Sequence, residues 1–240
     1  MKVEKVTNAM RTVLPVKACG AVIVAAGASS RMGSTDKIMA ILGGEPVISR
    51  TVRAFECSSV ISEIVIVTRQ DLILPIRDLC AQFKKVKAVV AGGDTRTDSV
   101  RAGLRALSKK MKLAAIHDGA RPLISREVID RTVRAAHTYG AAAPVVAVKD
   151  TVKEVRGGLI AHTPDREFLR AVQTPQVFDC ALLSGALNKA EKENAALTDD
   201  CAAVENLGMK VKTVPGDEHN IKITTPIDLM IAERLLEDML

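Results

Sequence analysis

Aromatic side chains are scarce in this sequence. Phe, Tyr and Trp together make up 2% of its 240 residues, and Trp is absent. Proteins that bind single-stranded nucleic acid stack successive bases on aromatic side chains, so this composition argues against a nucleic-acid partner. The net charge of +6 suits an anionic ligand. The basic residues are nevertheless scattered along the chain, as in an ordinary mildly basic cytosolic protein.

Paired cysteines and long apolar stretches are also missing. The five cysteines lie far apart and include no Cys-x-x-Cys pair, which argues against a disulfide framework or a structural zinc site. No apolar run approaches the roughly 18 residues that a transmembrane helix needs. We therefore expect a cytoplasmic protein with no membrane partner.

The first 17 residues differ from the rest of the chain. They carry four basic residues and one acidic residue, without the apolar stretch that a secretory signal requires. We interpret residues 1–17 as a flexible N-terminal extension, with a transit peptide as the alternative. Residues 18–240 have the length of a single domain with a substantial core.

Strand-like and helix-like segments alternate four times before Gly140. Such alternation predicts an α/β fold, with a doubly wound, mostly parallel sheet of Rossmann-like type and helices on both faces. The loops at the carboxyl ends of parallel strands then collect at one edge of the sheet. The predicted strands are 21–26, 63–68, 86–90 and 113–116, and the predicted helices are 45–56, 72–83, 95–107 and 125–139.

The pattern changes after Gly140. Two alternating runs, 151–155 and 159–163, flank Gly157-Gly158 and predict a β-hairpin. Because a polar hairpin has little core of its own, we expect it to project from the domain as an arm, at about 149–170, and to pack on a second subunit. Around it the predicted strands are 143–148 and 210–214, and the predicted helices are 180–194, 198–207 and 226–240.

The loop after the first strand has the composition of a phosphate-binding turn. Gly27 to Gly33 consists largely of small residues, which let a ligand approach the backbone, and Arg31 and Lys37 bring positive charge. The spacing fits neither G-x-G-x-x-G nor a Walker A motif. Taken alone, the segment is equally consistent with a tight strand-to-helix turn carrying two exposed cations.

Polar residues follow two other strands at the same predicted edge. Asp118 can hold a sugar hydroxyl or a metal ion, and Arg121 has the planar fork that binds phosphate. Asp94, Arg96 and Ser99 lie in a Gly-Gly loop that can face a nucleotide. A cap of a helix or turn is the alternative for Asp118, and a cap of the following helix is the alternative for Asp94.

Lys222 lies within a short apolar segment that we interpret as a strand. Its position suits a role in binding, and a place on the wet face of that strand is the alternative. The four histidines have no metal-ligand spacing. We interpret His117 and His162 as hydrogen-bonding residues of the core or sheet edge.

Six motifs, in this order, resemble the 2-C-methyl-D-erythritol 4-phosphate cytidylyltransferase family of non-mevalonate isoprenoid biosynthesis. The similarity runs from about Cys19 to the C-terminus. The motifs are Ala25-Ala26-Gly27 to Gly33 with Lys37; Gly92-Gly93-Asp94 with Asp98-Ser99-Val100; His117 to Pro122; Thr174-Pro175-Gln176; Thr198-Asp199; and Asn220 to Thr224.

The resemblance implies that CTP and methylerythritol phosphate react to give a CDP-alcohol and pyrophosphate, with Mg²⁺ bound mainly by the CTP phosphates. It implies catalytic roles for Arg31, Lys37, Arg166 and Lys222. It implies CTP contacts by Ala25, Ala26, Gly27, Asp94, Ser99 and Asp118. It also implies that the polyol phosphate is bound by Arg121, Thr151, Arg166, Thr174 and Lys222, with Asp118 lining that side as well.

The family resemblance further implies a homodimer, in which the arm carries Thr151 and Arg166 to the partner's site. The sequence departs from the family pattern at Asp36-Lys37-Ile38, where the family often has Pro-Lys-Gln. This departure puts a carboxylate beside the lysine, and we expect it to modulate the lysine's charge. Gly119 replaces the commoner alanine, which is a small change.

Three other functions are considered. A cytidylyltransferase for another polyol phosphate, such as ribitol 5-phosphate, shares several of the motifs. A dinucleotide-dependent oxidoreductase would need G-x-G-x-x-G and an acid after the second strand, where this chain has Thr68-Arg69-Gln70. A non-catalytic nucleotide-binding module would not need Arg31, Lys37 and Lys222 together.

Overall fold

The computed structural model describes residue 16 and residues 18–27 and 36–238. The predictions for Arg31, for nearly all of the N-terminal extension and for the end of the last helix lie outside these residues.

Strands of the described chain form one large sheet and two small ribbons. In chain order they are β1 (Cys19–Ala25), β2 (Ile41–Leu42), β3 (Glu45–Pro46), β4 (Ile61–Thr68), β5 (Val86–Ala91), β6 (Leu113–Asp118), β7 (Ala141–Ala147), β8 (Glu154–Arg156), β9 (Leu159–His162), β10 (Arg170–Val172), β11 (Gln176–Asp179) and β12 (Lys212–Pro215). The large sheet has the order β10-β7-β11-β6-β1-β4-β5, with β12 also paired to β7.

Most pairs of the large sheet are parallel. Strand β1 lies between β4 and β6, and both are parallel to it, as β5 is to β4. Strand β11 is antiparallel to both of its neighbours, β6 and β7. The carboxyl ends of β1, β4, β5 and β6 therefore share one edge, as the alternation of strands and helices predicts.

Helices cover both faces of the sheet. In chain order they are α1 (Val47–Cys57), α2 (Ile73–Cys80), α3 (Arg96–Ala106), α4 (Arg126–Tyr139), α5 (Cys180–Lys192), α6 (Asp200–Glu205) and α7 (Pro226–Asp238). Alternate residues of β1 show the two layers, since side chains along a strand point to opposite faces. Ala21 and Ile23 pack in the core with α1, α2 and α4, whereas Val22 packs with α3, α5 and α6. The predicted doubly wound fold is confirmed.

Several helix boundaries differ from the prediction for local reasons. Helix α1 begins at Val47, because Glu45–Pro46 pairs with β2 instead. Helix α2 spans eight residues of the predicted twelve, and residues 70–72 before it form a 3₁₀ turn. Helix α6 starts two residues after the predicted Thr198, because the Asp199 side chain caps it by accepting the Ala202 N–H.

The predicted set of strands is incomplete, and one predicted strand is wrong. Strands β2, β3, β10 and β11 are absent from the predicted set, because each is only two to four residues long. Lys222 does not lie in a strand, since residues 220–224 are an irregular segment. Within this segment, the Ile223 N–H donates to the Ala120 carbonyl at 2.8 Å, and the Ile223 side chain packs with α7.

The predicted hairpin is present as β8 and β9, which pair antiparallel outside the large sheet. Gly157 and Gly158 form its two-residue turn with φ of +56° and +81°. Positive φ at both positions matches the twist of a hairpin and favours glycine. The arm is exposed along its length, and its apolar side chains Val155, Leu159, Ile160 and Phe168 are largely uncovered.

Two further expectations concern cysteines and membranes. All five cysteines are free, as expected. Among the described residues, every helix is too short or too polar to cross a bilayer.

Candidate active site

A cavity of about 330 Å³ opens at the carboxyl edge of the sheet. The loops after β1, β5 and β6 meet there. Residues predicted for the site from these loops line it together with two lysines from elsewhere in the chain: Ala25, Ala26, Gly27, Lys37, Asp94, Ser99, Asp118 and Lys222.

Close backbone approach makes glycine necessary at one point of the cavity rim. A Cβ on Gly92 would lie 2.6 Å from both the Ala26 Cβ and the Ser99 Oγ. The Gly92 N–H donates to the Thr68 carbonyl, 2.8 Å away, which continues the sheet into the loop. The loop after β5 is therefore packed directly against the loop after β1.

The start of α3 is built by a capping box. Thr95 Oγ1 accepts the Asp98 N–H, and the Asp98 carboxylate accepts the Thr95 N–H. The alternative of Asp94 as the helix cap is therefore wrong, and Asp94 lies on the cavity wall. Ser99 is buried, donates to the Thr95 carbonyl and accepts the Gly93 N–H at 3.3 Å, so it fixes the glycine loop.

Asp118 is surrounded by positive charge. Its carboxylate lies 2.9 Å from the Lys222 ammonium, 3.4 Å from Arg121 Nε and 3.9 Å from Arg96 Nε. Burial alone would raise the pKa of Asp118, but the charges of these side chains, Lys222 first, outweigh burial and lower it to about 2. Asp118 is thus a carboxylate at neutral pH and places the Lys222 ammonium at the cavity.

Residues beneath Asp118 hold its backbone. His117 Nε2 lies 3.2 Å from the Arg121 carbonyl, which can only accept, so Nε2 carries the proton. His117 Nδ1 therefore accepts from the Thr174 hydroxyl at 3.0 Å, and Thr174 Oγ1 accepts the Asp118 N–H at 3.1 Å. Burial lowers the pKa of His117 to about 4, which keeps the ring neutral. His117 is the core hydrogen-bonding residue that its position predicts.

Lys222 is positioned by its neighbours in the irregular segment. Asn220 is fully buried, and its Nδ2 donates to the Thr174 carbonyl at 2.9 Å. Ile223 is also fully buried. Asn220 and Ile223 thus fix the backbone on both sides of Lys222, and the Lys222 ammonium contacts Asp118 at the cavity.

Known proteins match the chain over nearly its whole length. The family model of 2-C-methyl-D-erythritol 4-phosphate cytidylyltransferase (IspD) covers residues 19–238. The protein of that name from Caldanaerobacter subterraneus subsp. tengcongensis is 43% identical over 221 residues, which span 90% of this chain and 97% of that protein. The corresponding protein from Pelotomaculum thermopropionicum is 44% identical over 222 residues, spanning 90% and 93%.

Solved structures agree. A crystal structure of 4-diphosphocytidyl-2C-methyl-D-erythritol synthase from Anaerococcus prevotii has a TM-score of 0.84 at 32% identity, covering 92% of this chain and 96% of that one. The 2-C-methyl-D-erythritol 4-phosphate cytidylyltransferase from Thermus thermophilus has a TM-score of 0.76 at 34% identity, covering 92% and 99%.

The chain belongs to this family. The resemblance carried by the six motifs is confirmed, and the chain is a CTP-dependent nucleotidyltransferase. Neither the family model nor these relatives supports ribitol 5-phosphate as the substrate.

Two other predicted residues, Arg121 and Thr174, contact Asp118 but do not line the cavity. Arg121 forms a bridge, since its Nη1 donates to the Asn220 carbonyl at 2.7 Å and its Nε faces Asp118. It lines a neighbouring hollow with Lys149 and Gln173. Thr174 is buried beneath Asp118 and is not on the cavity wall.

The arm residues also lie apart from the cavity of their own chain. Thr151 is exposed, and Arg166 lines a separate hollow at the base of the arm with Lys149 and Arg170. Arg166 Nη1 donates to the Lys149 carbonyl at 2.7 Å. Their predicted roles stay predictions.

The sequence did not identify Asp200 as a site residue, and it noted Arg96 only as part of the glycine loop. Arg96 lines the cavity and pairs with Asp200 at 2.7 Å. The Gln176 side chain fixes the start of α6 by accepting the Asp200 and Cys201 N–H groups. A signal was present in Thr198-Asp199-Asp200, since two adjacent acids at a helix start need a reason beyond capping.

Proposed function

We propose that the chain transfers the cytidylyl group of CTP to 2-C-methyl-D-erythritol 4-phosphate and releases pyrophosphate. One observation carries this proposal: Lys37, Asp118 and Lys222, from three distant parts of the chain, line a single cavity at the sheet edge. The family membership of the chain supports the same substrates.

The reaction needs no protein nucleophile. An oxygen of the polyol phosphate attacks the α-phosphorus of CTP, the bond to the β-phosphate oxygen breaks, and pyrophosphate leaves with that electron pair. Negative charge spreads over the transferring group, so the protein's work is positioning and charge stabilisation. We assign this stabilisation to Arg31 and Lys37, and we assign Lys222 and Arg166 to the incoming phosphate.

CTP is proposed to lie along the glycine loops. Ala25, Ala26 and Gly27 would offer their backbone to the nucleotide, and Asp94 and Ser99 would face the ribose and base. A Gly27 Cβ would lie 3.5 Å from the Lys37 Nζ, so this backbone and the lysine are close enough to contact one ligand. Asp118 stands at the junction of the two substrates, where its charge is balanced by Lys222.

The polyol phosphate is proposed to bind with Arg121, Thr174 and Lys222 from one chain and with Thr151 and Arg166 from the arm of a second copy. Uncovered apolar residues on the arm, of which Phe168 is 80% exposed, support a homodimer. Because these arm residues do not line their own cavity, a partner's cavity is the place where they would act.

Mg²⁺ is proposed to accompany the triphosphate. In the part of the chain that the structure describes, no three His, Cys, Asp or Glu side chains gather into a metal site. Asp94 and Asp118 are carboxylates on the cavity wall, and this sparse set fits Mg²⁺, which keeps phosphate and water ligands. The ion would neutralise charge on the phosphates. Since both substrates are soluble, charged metabolites, we place the reaction in the cytoplasm.

Pyrophosphate release tests the proposal. The chain is assayed with CTP and Mg²⁺ against 2-C-methyl-D-erythritol 4-phosphate, ribitol 5-phosphate and erythritol 4-phosphate. We expect the methylerythritol compound to give the highest kcat/KM. A higher value for ribitol 5-phosphate would instead assign the chain to the other polyol phosphate, and no release with any of them would remove the proposed activity.

A further inference from the structure

The short turn that carries Lys37 is anchored firmly on its C-terminal side. Ile38 is 1% exposed in the core between the sheet and α1. Its carbonyl accepts the Ile48 N–H at 2.9 Å, and the Ala40 carbonyl accepts the Val47 N–H at the same distance. The backbone just after Lys37 is therefore fixed to the start of α1.

On the N-terminal side, the turn is anchored through Asp36. One carboxylate oxygen of Asp36 accepts the Ile38 N–H at 3.0 Å, and its carbonyl accepts the N–H groups of Met39 and Ala40. The other carboxylate oxygen accepts from Arg69 Nη1 at 2.5 Å. Asp36 thus closes the turn locally and ties it to a second element.

Arg69 connects Asp36 to that second element, which is the end of β4. It directly follows Thr68, the last residue of β4, a strand paired on both sides with β1 and β5. Its Nε and Nη2 donate to the two carboxylate oxygens of Asp71, at 3.2 and 3.1 Å. This fork-to-fork contact fixes the guanidinium plane and leaves Nη1 for Asp36.

We propose that Arg69 is a positioning residue for Lys37: it anchors the Asp36 turn to the end of β4 and neutralises the carboxylate that precedes the lysine. This inference rests on the proposed role of Lys37 at the CTP phosphates. It assigns a purpose to the departure of Asp36 from the proline usual in the family, because the carboxylate supplies an anchor and Arg69 balances its charge.

The two substitutions of this pair should have unequal effects. Without Arg69, an unbalanced carboxylate stands next to Lys37, where it repels the CTP phosphates and attracts the ammonium. Without Asp36, an anchor is lost but no opposing charge is left behind. Removing the carboxylate should therefore repair much of the damage that removal of Arg69 causes, which a purely structural contact would not predict.

The experiment compares kcat and the KM for CTP in Arg69→Gln, Asp36→Asn, the double variant and Arg69→Lys. We expect kcat of Arg69→Gln to fall about tenfold with less than about a threefold change in KM, because Lys37 acts mainly in the transition state. The double variant should recover to within about threefold of the wild-type kcat, and Arg69→Lys should keep most of the activity. Arg77→Gln, an exposed arginine paired with its neighbour Asp78, is the matched control with unchanged kcat.

Two results would overturn the inference: a wild-type kcat for Arg69→Gln, or a double variant as slow as Arg69→Gln. Urea unfolding of each variant shows whether a low kcat reflects a loss of fold. We expect Asp36→Asn to keep a kcat within about threefold of wild type, so that the double variant reports on the balance of charge beside Lys37. Lys37→Ala is assayed in parallel. If Lys37→Ala is fully active, the proposed role of the lysine fails; if it is slow and Arg69→Gln is not, only this inference fails.

Discussion

Arg96 and Asp200 form an ion pair of 2.7 Å between the first turn of α3 and the first residue of α6. Asp200 is 1% exposed, and burial raises its pKa against the opposing effect of the Arg96 charge. Arg96 also reaches to 3.9 Å from Asp118, and so it links a buried anion to the cavity. The pair holds a guanidinium at the site where an anionic nucleotide is proposed to bind.

Asp200→Asn should weaken CTP binding more than it slows the chemical step. Loss of the counter-ion leaves Arg96 free to pair more closely with Asp118, away from the nucleotide. We expect the KM for CTP to rise about fivefold and kcat to change less than about twofold, since uniform binding is lost. The free energy of unfolding should fall by about 2 kcal/mol, because one partner of a largely buried pair is removed.

Glu205→Gln is the matched control for that variant. Glu205 is the exposed last residue of the same helix. Its KM and unfolding free energy should equal those of the wild type. If the KM for CTP of Asp200→Asn also equals that of the wild type, the ion pair does not affect nucleotide binding.

Mixed dimers test whether Arg166 acts across subunits. Arg166→Ala and Lys37→Ala chains, each of which we expect to be nearly inactive alone, are unfolded together and refolded. If the arm crosses to the partner, half of the dimers are mixed and each holds one intact site, so about a quarter of the wild-type activity returns. Mixed dimers that are isolated and remain inactive would place Arg166 in the site of its own chain.

His117 should make the fold sensitive to mild acid. Its pKa is about 4 in the fold, below the usual 6.5, so the unfolded chain binds the proton first. Stability is therefore lost as the pH falls from 6.5 towards 4. Between pH 7 and pH 5 we expect a loss of about 2 kcal/mol in the free energy of unfolding, measured with urea.

His117→Gln should abolish most of this loss in the free energy of unfolding between pH 7 and pH 5. This holds whatever the substitution does to stability at pH 7. His162→Gln, on the exposed arm, should keep the full difference. An unchanged difference in His117→Gln would mean that other groups cause the acid sensitivity.

Strands of the central sheet could be predicted because burial on both faces leaves a direct signal. The run Glu63 to Thr68 is almost continuously β-branched, as expected of a buried parallel strand. Strand β11 gives no such signal, since Gln176 to Asp179 is only four residues long and mixes polar and apolar side chains. Its place between β6 and β7 depends on pairing with Ile116, which is 60 positions away by chain numbering.

The site was partly predictable for a related reason. Loops at the carboxyl ends of parallel strands share an edge, so Asp94 and Asp118 could be placed together from strand order alone. Lys222 was singled out as part of a strand, whereas the structure places it on the cavity wall within an irregular segment. The adjacent acids Asp199 and Asp200 drew attention to the start of α6, but their pattern does not name Arg96 as the partner, because the two residues lie 104 positions apart.

The most direct test of the account is the kinetics of Lys37→Ala with CTP, Mg²⁺ and 2-C-methyl-D-erythritol 4-phosphate. The account predicts that kcat falls by about two to three orders of magnitude while the KM for CTP changes little, because one preorganised charge at the transferring phosphate is lost. Circular dichroism and urea unfolding should match the wild type. A Lys37→Ala enzyme with wild-type kcat would contradict the claim that this cavity is where the cytidylyl group is transferred.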